Sequence, residues 1–282
     1  MKYARRIRPL ILLVIMCIFI LPVLSGCDRD DSAKVSVPIL LYHHIAQKPY
    51  GDMIISESRF REHMEAIHEE GYHTISFDDL IAFEEQGTPL PEHPVMLTFD
   101  DGYMSNYEIA YPILKEYGFK ATIFVIGAFF EQGAERPGDL SFFGAAEANE
   151  MIASGLVAIQ SHTYDMHKYD FDDHPDMIRS GVMQRDGESD ADYRAAFVAD
   201  YEKSRDLIEE RTQKKNVVLA YPYGLANPMT ESCLKDMGVK VTLTTDAFTN
   251  IVKYGKPGSL RMMGRYTIGE GYSVEDLLNV LC

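Results

Sequence analysis

Cysteine is scarce in this sequence, which has only four in 282 residues. No two of them have the spacing of a zinc-binding cysteine pair. Cys17 and Cys27 belong to the N-terminal region. A disulfide between the other two, Cys233 and Cys282, stays open because the sequence does not give the distance between their Cα atoms. Any metal ion must therefore be held by histidine and carboxylate side chains.

Positive charge is also in short supply, since 27 Lys and Arg stand against 43 Asp and Glu, for a net charge of −16. The segment 1–26 holds Lys2, Arg5, Arg6 and Arg8 and no acid, so removing these four cations takes the rest of the chain from −16 to −20. A chain this acidic repels phosphate, which argues against nucleic-acid binding and suits a neutral or cationic partner. Hydrophobic residues make up 46% of the chain, enough for one domain with a full core.

The apolar run at the N-terminus falls short of the roughly 20 residues that a membrane-spanning helix needs. It extends from Leu10 to Leu24, follows a basic segment and leads into Leu24-Ser25-Gly26-Cys27. This order is typical of an export signal, and its last four residues resemble the lipobox of bacterial lipoproteins, in which the cysteine receives a lipid. The alternative is an uncleaved membrane anchor.

We therefore predict four segments along the chain. The first is a signal peptide over residues 1–26, the second and third together are residues 27–36, in which the lipidated Cys27 is followed by the tether, and the fourth is a folded domain over residues 37–282. This organisation places the domain outside the cytoplasm, anchored to the membrane through the lipid on Cys27.

A repeated pattern predicts the fold: an amphipathic segment, then a glycine, then a short apolar run. Glycine just after a helix closes it in a left-handed conformation, and a continuous apolar run is typical of a strand buried on both faces. We expect an α/β fold, a distorted (β/α) barrel with a parallel sheet, whose site lies at the carboxyl ends of the strands. The glycines and the runs after them are Gly71 before Tyr72–Ile75, Gly118 before Phe119–Ile126, Gly155 before Leu156–Ile159 and Gly238 before Val239–Leu243.

Three local features refine this prediction. Asn227-Pro228 has the residue types of a helix N-cap followed by the first helical position. The segment Tyr193–Thr212 is predicted to be a helix. The polar stretch Lys168–Asp192 interrupts the pattern, and we expect it to form a long loop beside the site.

The sharpest chemical signal is Thr98-Phe99-Asp100-Asp101-Gly102, at the end of the predicted strand Val95–Phe99. Adjacent carboxylates at the end of a buried strand are costly unless they bind a cation or are paired. Where the chain turns, both can face one site, so one can hold a metal ion while its neighbour acts as a base. Helix capping is the alternative, and it is the better explanation for the other Asp pair, in Phe77-Asp78-Asp79, which has no following glycine.

Three other predicted strand ends carry candidate residues. In Ser161-His162-Thr163-Tyr164-Asp165-Met166-His167, two imidazoles and one carboxylate from elsewhere would make a zinc site with a position open for water. Tyr42-His43-His44 offers imidazoles that can donate a proton near neutral pH. In Ala220-Tyr221-Pro222-Tyr223-Gly224, Pro and Gly bracket a turn that could direct a backbone N–H at a developing oxyanion. Taken singly, each is as readily a core histidine, an exposed histidine or an ordinary turn.

Together these motifs resemble the polysaccharide deacetylases of carbohydrate esterase family 4, the NodB-like deacetylases, from Val37 to about Tyr266. His162 and His167 are five residues apart, where the main family has four. This longer spacing, the pair Tyr42-His43 and a third motif without arginine are similar to the branch that acts on poly-N-acetylglucosamine. That branch also has a basic residue in the region of Arg261 and Arg265.

The resemblance implies metal-dependent hydrolysis of an amide. Asp101, His162 and His167 are then the ligands of a divalent ion, with zinc expected and cobalt, nickel or manganese also suited to such ligands. The implied substrate is an N-acetylated polysaccharide, such as poly-N-acetylglucosamine, peptidoglycan or a chitin-like oligomer. The sequence leaves open which of these polymers it is, and the oligomeric state as well.

The resemblance also assigns the acid and base roles. Asp100 is the general base that takes a proton from water, and the backbone N–H of Tyr223 stabilises the oxyanion. The family's usual late Leu-x-x-x-His is absent, since no His occurs after His174. The resemblance to the branch implies that His43 instead supplies the proton for the departing amine, with His44 as the alternative. The candidate surfaces for stacking on sugar rings are Tyr164, Tyr221 and Tyr223.

Two other functions are compatible with the fold. A cell-wall or carbohydrate-binding lipoprotein would keep the fold without turnover, but the intact set of acidic and imidazole residues argues against it. A glycosidase would use Asp100 and a second acid. The products separate this case, because a deacetylase frees amines and leaves the chain length unchanged.

Overall fold

A central sheet of parallel strands forms the body of the protein in a computed structural model that describes residues 33–133, 140–168 and 179–281. The strands are β1 (Lys34–Val37), β2 (Ile39–Tyr42), β3 (Ile45–Ala46), β4 (Ile55–Ser56), β5 (His73–Thr74), β6 (Pro94–Phe99), β7 (Ala121–Val125), β8 (Val157–Ser161), β9 (Val218–Ala220), β10 (Val241–Leu243), β11 (Asn250–Lys253) and β12 (Tyr266–Thr267). The helices are α1 (Glu57–Glu69), α2 (Phe77–Gln86), α3 (Tyr111–Tyr117), α4 (Gly127–Gln132), α5 (Ala145–Ala153), α6 (Asp190–Thr212), α7 (Pro228–Asp236) and α8 (Val274–Leu281). A π-helical turn, Asn106–Ala110, precedes α3, and 3-10 turns lie at Pro222–Gly224 and Pro257–Leu260.

The sheet curls until its two edges are joined by one segment of chain. Its strand order is β10-β9-β8-β7-β6-β2-β12, with β5 pairing with the start of β6, and all these pairs are parallel. Just before β12, Met263 bridges Leu243 of β10, while β12 itself pairs with Leu40 and Leu41 of β2. The predicted distorted (β/α) barrel with a parallel sheet is confirmed.

The register of the strands brings their carboxyl ends to one edge of the barrel. Tyr42 of β2 lies opposite Phe99 of β6, and the next N–H along β6, that of Asp100, donates to the Tyr42 carbonyl at 3.0 Å. On the other side, Ser161 at the end of β8 lies opposite Val125 of β7. Every residue of β2 and β6 is buried, which explains their unbroken apolar sequences.

The predicted helix ends are confirmed by their backbone conformations. Gly71, Gly118, Gly155 and Gly238 all have positive φ, between 67° and 82°, a region that costs glycine little. Asn227 caps α7 by accepting from the Met229 and Thr230 amides. The Asp pair of Phe77-Asp78-Asp79 belongs to a capping box at the start of α2, in which Asp79 accepts from the Ser76 amide.

The predicted loop Lys168–Asp192 ends earlier than expected, because Ser189 caps α6 and the helix begins at Asp190. Residues 169–178 of this loop lie outside the described residues. In the described part, the Gly181 amide donates to the Lys168 carbonyl at 2.8 Å. A Cβ on Gly181 would lie 3.1 Å from the Pro222 carbonyl oxygen, so this part packs beside the turn that follows β9.

The start of the folded domain lies upstream of Val37. β1 begins at Lys34 and pairs antiparallel with β11, so residues 34–36, which were assigned to the tether, are part of a sheet. The predicted signal peptide (residues 1–26), Cys27 and Cys282 lie outside the described residues. Cys233 is a buried free thiol in α7. None of the helices in the described ranges is long and apolar enough to cross a membrane.

Candidate active site

Asp101, His162 and His167 meet at the carboxyl edge of the barrel. One ligand atom of each lies within 4.8 Å of the others. Asp101 Oδ1 is 3.1 Å from His167 Nε2 and 3.6 Å from His162 Nε2. Within the described ranges, this oxygen is buried and has no hydrogen-bond partner. The three residues predicted as metal ligands are therefore brought together around one position.

Both imidazoles are oriented by contacts at their other nitrogen. His162 Nδ1 lies 2.8 Å from the Ala220 carbonyl oxygen, so Nδ1 carries the proton and Nε2 presents its lone pair to the cluster. His167 Nδ1 lies 3.2 Å from the Tyr223 hydroxyl. Partners of this kind are typical of histidines that bind metals, because they select the tautomer and fix the ring. Two imidazoles and one carboxylate fit a divalent cation and leave room for water.

The pKa values follow from this arrangement. Burial lowers the pKa of His162 to about 4, so it is neutral at neutral pH, as a ligand must be. Burial also acts to lower the pKa of His167, but its contact with Asp101 outweighs burial and raises it. For Asp101, burial acts to raise the pKa, while the contact with His167 and the charges of His43 and His162 bring it below the usual range. The site therefore holds an anionic carboxylate beside imidazoles.

A left-handed turn directs both carboxylates of the Asp pair into the site. Asp101 has φ 74° and Gly102 φ 81°, which is strained backbone for Asp101. A Cβ on Gly102 would lie 2.9 Å from Val125 Cγ1, so only glycine fits there. Asp100 lies on the barrel side of the turn, where its Oδ2 is 3.8 Å from His162 Nε2.

Asp100 is buried and paired with Arg265. The two terminal nitrogens of the guanidinium donate to the two carboxylate oxygens at 2.7 and 2.8 Å. Burial acts to raise the pKa of Asp100, but the charges of Arg265 and His162 outweigh it and lower the pKa. Asp100 is therefore ionised and able to accept a proton.

The role of Arg265 was not predicted from the sequence beyond its place in a basic region. The neighbouring candidate, Arg261, has a different function: it donates to Glu231 at 2.8 Å and to the Val239 carbonyl, which ties α7 to the chain before β10. The two arginines differ in their position along the chain. Arg265 directly precedes β12, which pairs with β2, and β2 in turn pairs with β6.

His43, rather than His44, interacts electrostatically with the aspartates. The charge of His43 lowers the pKa of both Asp100 and Asp101. Its Nδ1 is buried and has no hydrogen-bond partner among the residues that the structure describes. His44 is directed elsewhere: its Nδ1 lies 2.9 Å from Ser105 Oγ, and its ring packs 5.1 Å from that of Tyr103.

The three tyrosines predicted as stacking surfaces have different environments. Tyr221 is fully buried, and its hydroxyl donates to Glu231, so the expectation that it stacks on a sugar is wrong. Tyr164 is engaged by Glu131 at its hydroxyl and by the Lys203 ammonium 3.7 Å above its ring. Tyr223 is 37% exposed, and its ring packs 4.7 Å from that of His167.

Comparisons with known proteins bear on the family and the fold. The family described as polysaccharide deacetylase matches residues 87–242. A poly-beta-1,6-N-acetyl-D-glucosamine N-deacetylase of Staphylococcus aureus (strain MRSA252) is 26% identical over 266 residues, which cover 85% of each protein. The structure of a de-N-acetylase from Aggregatibacter actinomycetemcomitans is 25% identical, with a TM-score of 0.75, and covers 87% of this chain and all of that one. The structure of IcaB from Ammonifex degensii has a TM-score of 0.71 over 87% of this chain and 97% of that one, and at 24% identity it supports the fold.

Proposed function

The chain belongs to the polysaccharide deacetylase family, and on that premise we propose that it removes N-acetyl groups from poly-β-1,6-N-acetylglucosamine in preference to peptidoglycan or chitin-like oligomers. Hydrolysis of N-acetyl groups on a polysaccharide is the reaction of the family. The preference for this polymer is supported by the Staphylococcus aureus relatives, whose names specify it. The observation that carries the function is the cluster of Asp101, His162 and His167 beside the ionised Asp100.

The cluster would hold the divalent ion that the family requires. Asp101, His162 and His167 supply one carboxylate oxygen and two imidazole nitrogens, a set that suits zinc best and also accepts cobalt, nickel or manganese. When bound, such an ion polarises the acetyl carbonyl and makes the attacking water more acidic. We propose zinc as the native metal.

The protein's own residues then supply the proton transfers. Asp100, kept ionised by Arg265, accepts a proton from the water whose oxygen bonds to the acetyl carbon. The backbone N–H of Tyr223 donates to the oxyanion. His43 protonates the amine nitrogen as its bond to the acetyl carbon breaks, so acetate and a free amino sugar leave. Without that proton the nitrogen would be expelled as an unstable anion and the amide would re-form.

Acetate release tests the proposed function. The purified domain is assayed on the three polymers, before and after chelation and after return of each of the four metals. We expect activity on poly-β-1,6-N-acetylglucosamine to be highest, to disappear with chelator and to return best with Zn²⁺. Asp101→Ala should abolish activity, whereas Asp78→Ala, an exposed member of the other Asp pair, should not. Full activity in Asp101→Ala would exclude this site, and a shortened polymer would indicate a glycosidase.

We propose further that the protein is a lipoprotein, anchored to the membrane through Cys27 and active outside the cytoplasm. This proposal is supported by the sequence order of basic residues, apolar run and Leu24-Ser25-Gly26-Cys27. A single substitution, Cys27→Ser, should move the protein from the detergent phase to the aqueous phase and abolish labelling by a fatty-acid analogue. Continued membrane recovery without label would favour an uncleaved anchor instead.

A further inference from the structure

The turn between His162 and His167 contains strained backbone. Thr163, directly after the first histidine, has φ 68°. A left-handed conformation is unfavourable for a β-branched residue and persists only where the surrounding structure enforces it. The distance between the two imidazoles therefore depends on what holds this turn.

The backbone of the turn is held from outside at both its carbonyls and its amides. The carbonyls of Thr163 and Tyr164 accept from the first two amides of α4. The amide of Thr163 donates to Ser161 Oγ. The remaining amides, those of Tyr164 and Asp165, both donate to one side chain, Asp200 of α6. The distances are 2.9 Å for Gly127 N to Thr163 O, 2.9 Å for Ala128 N to Tyr164 O, 3.1 Å for Thr163 N to Ser161 Oγ, 2.8 Å for Tyr164 N to Asp200 Oδ1 and 2.8 Å for Asp165 N to Asp200 Oδ2.

Asp200 is attached to a rigid element. It lies within α6, one helical turn before Ser204. Ser204 is fully buried, and its hydroxyl pairs with that of Ser161 at 2.7 Å. The same face of α6 therefore contacts both the end of β8 and the turn after it. The helix thus fixes the position of the turn.

We propose that Asp200 is a positioning residue that sets the separation of His162 and His167 and thereby the affinity of the site for its metal ion. This inference rests on the proposed function, because it supposes that the two histidines bind a metal. Asp200 itself touches neither histidine. It acts through the two amides, each of which takes one of its two carboxylate oxygens.

Each carboxylate oxygen of Asp200 accepts from one amide, so a substitution that removes a single oxygen tests the proposal directly. Asn has the same shape but only one oxygen, so in Asp200→Asn one amide of the turn would face an NH₂ group. Partners that orient metal ligands typically contribute a 10- to 100-fold change in affinity. We expect the Kd for Zn²⁺ or Co²⁺ to rise by about 10-fold in Asp200→Asn and by more in Asp200→Ala.

The chain offers a matched control on the same helix. Glu209 also accepts a backbone amide, that of Asn216, at 2.9 Å, but it holds the segment before β9 rather than the histidine turn. Asp200→Ala and Glu209→Ala should both lower the unfolding temperature of the metal-free protein. Only the Asp200 variants should weaken metal binding, measured by competition with a chromogenic chelator, and change the visible spectrum of the Co²⁺-loaded protein.

The same metal titration, run on Asp101→Ala, distinguishes a failure of this inference from a failure of the proposed function. If Asp101→Ala loses metal and Asp200→Asn binds within twofold of the wild type, this inference is overturned and the proposed function stands. If Asp101→Ala binds metal as well as the wild type, the metal site and this inference fail together. Asp200→Asn preserves the volume of the side chain, so the test remains available even where Asp200→Ala does not fold.

Discussion

Arg265 donates to both oxygens of Asp100 through its two terminal nitrogens, and its Nε donates to the Thr244 carbonyl at 2.9 Å. The three bonds fix the plane of a guanidinium that is fully buried. A bidentate pair of this kind is shorter and stronger than a neutral hydrogen bond. The proton affinity of Asp100, which we propose as the base, therefore depends on a residue 165 positions away in the sequence.

The first prediction concerns the pH dependence of activity in Arg265→Met. A carboxylate acts as a base only when ionised, and Arg265 lowers the pKa of Asp100 against the effect of burial. Without the guanidinium, burial raises that pKa, so the acid limb of the profile of kcat/KM should move to higher pH. Loss of base catalysis at neutral pH should reduce the rate by about 10²-fold. The measurement is acetate release between about pH 4 and 9, a range that includes the usual pKa values of carboxylates and imidazoles.

Arg261→Met is the control for this experiment. Arg261 also carries an ion pair, partly buried, but with Glu231 and away from Asp100. The Arg261→Met substitution should lower the stability of the fold and leave the acid limb of the kcat/KM profile unchanged. An unchanged acid limb in Arg265→Met would mean that Arg265 does not set the pKa of the base.

A second prediction separates the backbone of Tyr223 from its side chain. Tyr223→Phe keeps the backbone N–H and removes the hydroxyl that contacts His167 Nδ1 at 3.2 Å. Metal affinity should fall by about 10-fold, while kcat at saturating metal should be close to that of the wild type. Chelator competition followed by acetate release at high metal measures the two effects.

Tyr254→Phe serves as the matched control, since Tyr254 is similarly exposed but packs beside Gly87 at the end of α2. It should change neither quantity. Unchanged metal affinity in Tyr223→Phe would show that the hydroxyl does not orient His167.

Local rules in the sequence account for the barrel and for the metal cluster. A glycine after each amphipathic segment, such as Gly118 after α3, follows from the conformation at a helix end. Asp101 and His162 could be predicted to meet without any knowledge of contacts, because parallel strands all end at one edge. Residue type and strand position predicted the shared edge, and the resemblance to the deacetylases then assigned Asp101, His162 and His167 as the metal ligands.

The remaining residues depend on contacts between segments that are distant in the sequence. The role of Arg265 depends on how β12 joins β2, and that of Asp200 on how α6 packs against β8, neither of which leaves a local pattern. Tyr221 shows the opposite case. A tyrosine in a Pro-Gly turn is expected at the surface, but its ring is buried because its hydroxyl finds a partner in Glu231.

A third prediction is that Gly224→Ala lowers both stability and activity. Gly224 has φ 69°, and a Cβ there would lie 2.6 Å from the Thr245 backbone nitrogen. The conformation and the contact together should cost roughly 2–3 kcal/mol. The turn that carries Tyr223 would have to shift, so kcat should fall as well.

Gly258→Ala is the control for this prediction. With nothing within 4 Å of its Cβ position, it should be close to neutral in both thermal unfolding and acetate release. Equal behaviour of the two variants would mean that the turn tolerates a side chain.

The fourth prediction concerns the ion pair that holds the segment packed beside the Tyr223 turn. Arg179 donates to both oxygens of Glu188 at 2.8 and 2.5 Å, and the two side chains are only 9% and 7% exposed. These bonds, together with those from the Arg185 amide and side chain, lower the pKa of Glu188 to about 2. A carboxylate whose pKa is lower in the folded state stabilises the fold above its unfolded pKa, and this stabilisation disappears as the pH falls towards its folded pKa. Glu188→Gln should therefore lose roughly 2 to 3 kcal/mol at pH 7.

The difference between wild type and Glu188→Gln should shrink between about pH 4.5 and 2. Denaturant unfolding across that range measures it. Asp236→Asn is the control, because its pair with Arg194 is 62% and 47% exposed, and exposed pairs contribute about 0–1 kcal/mol. Glu188→Gln should keep most of its activity at neutral pH, since the described part of the segment contacts the turn through Gly181. A constant difference in stability at every pH would show that Glu188 contributes through packing and not through its charge.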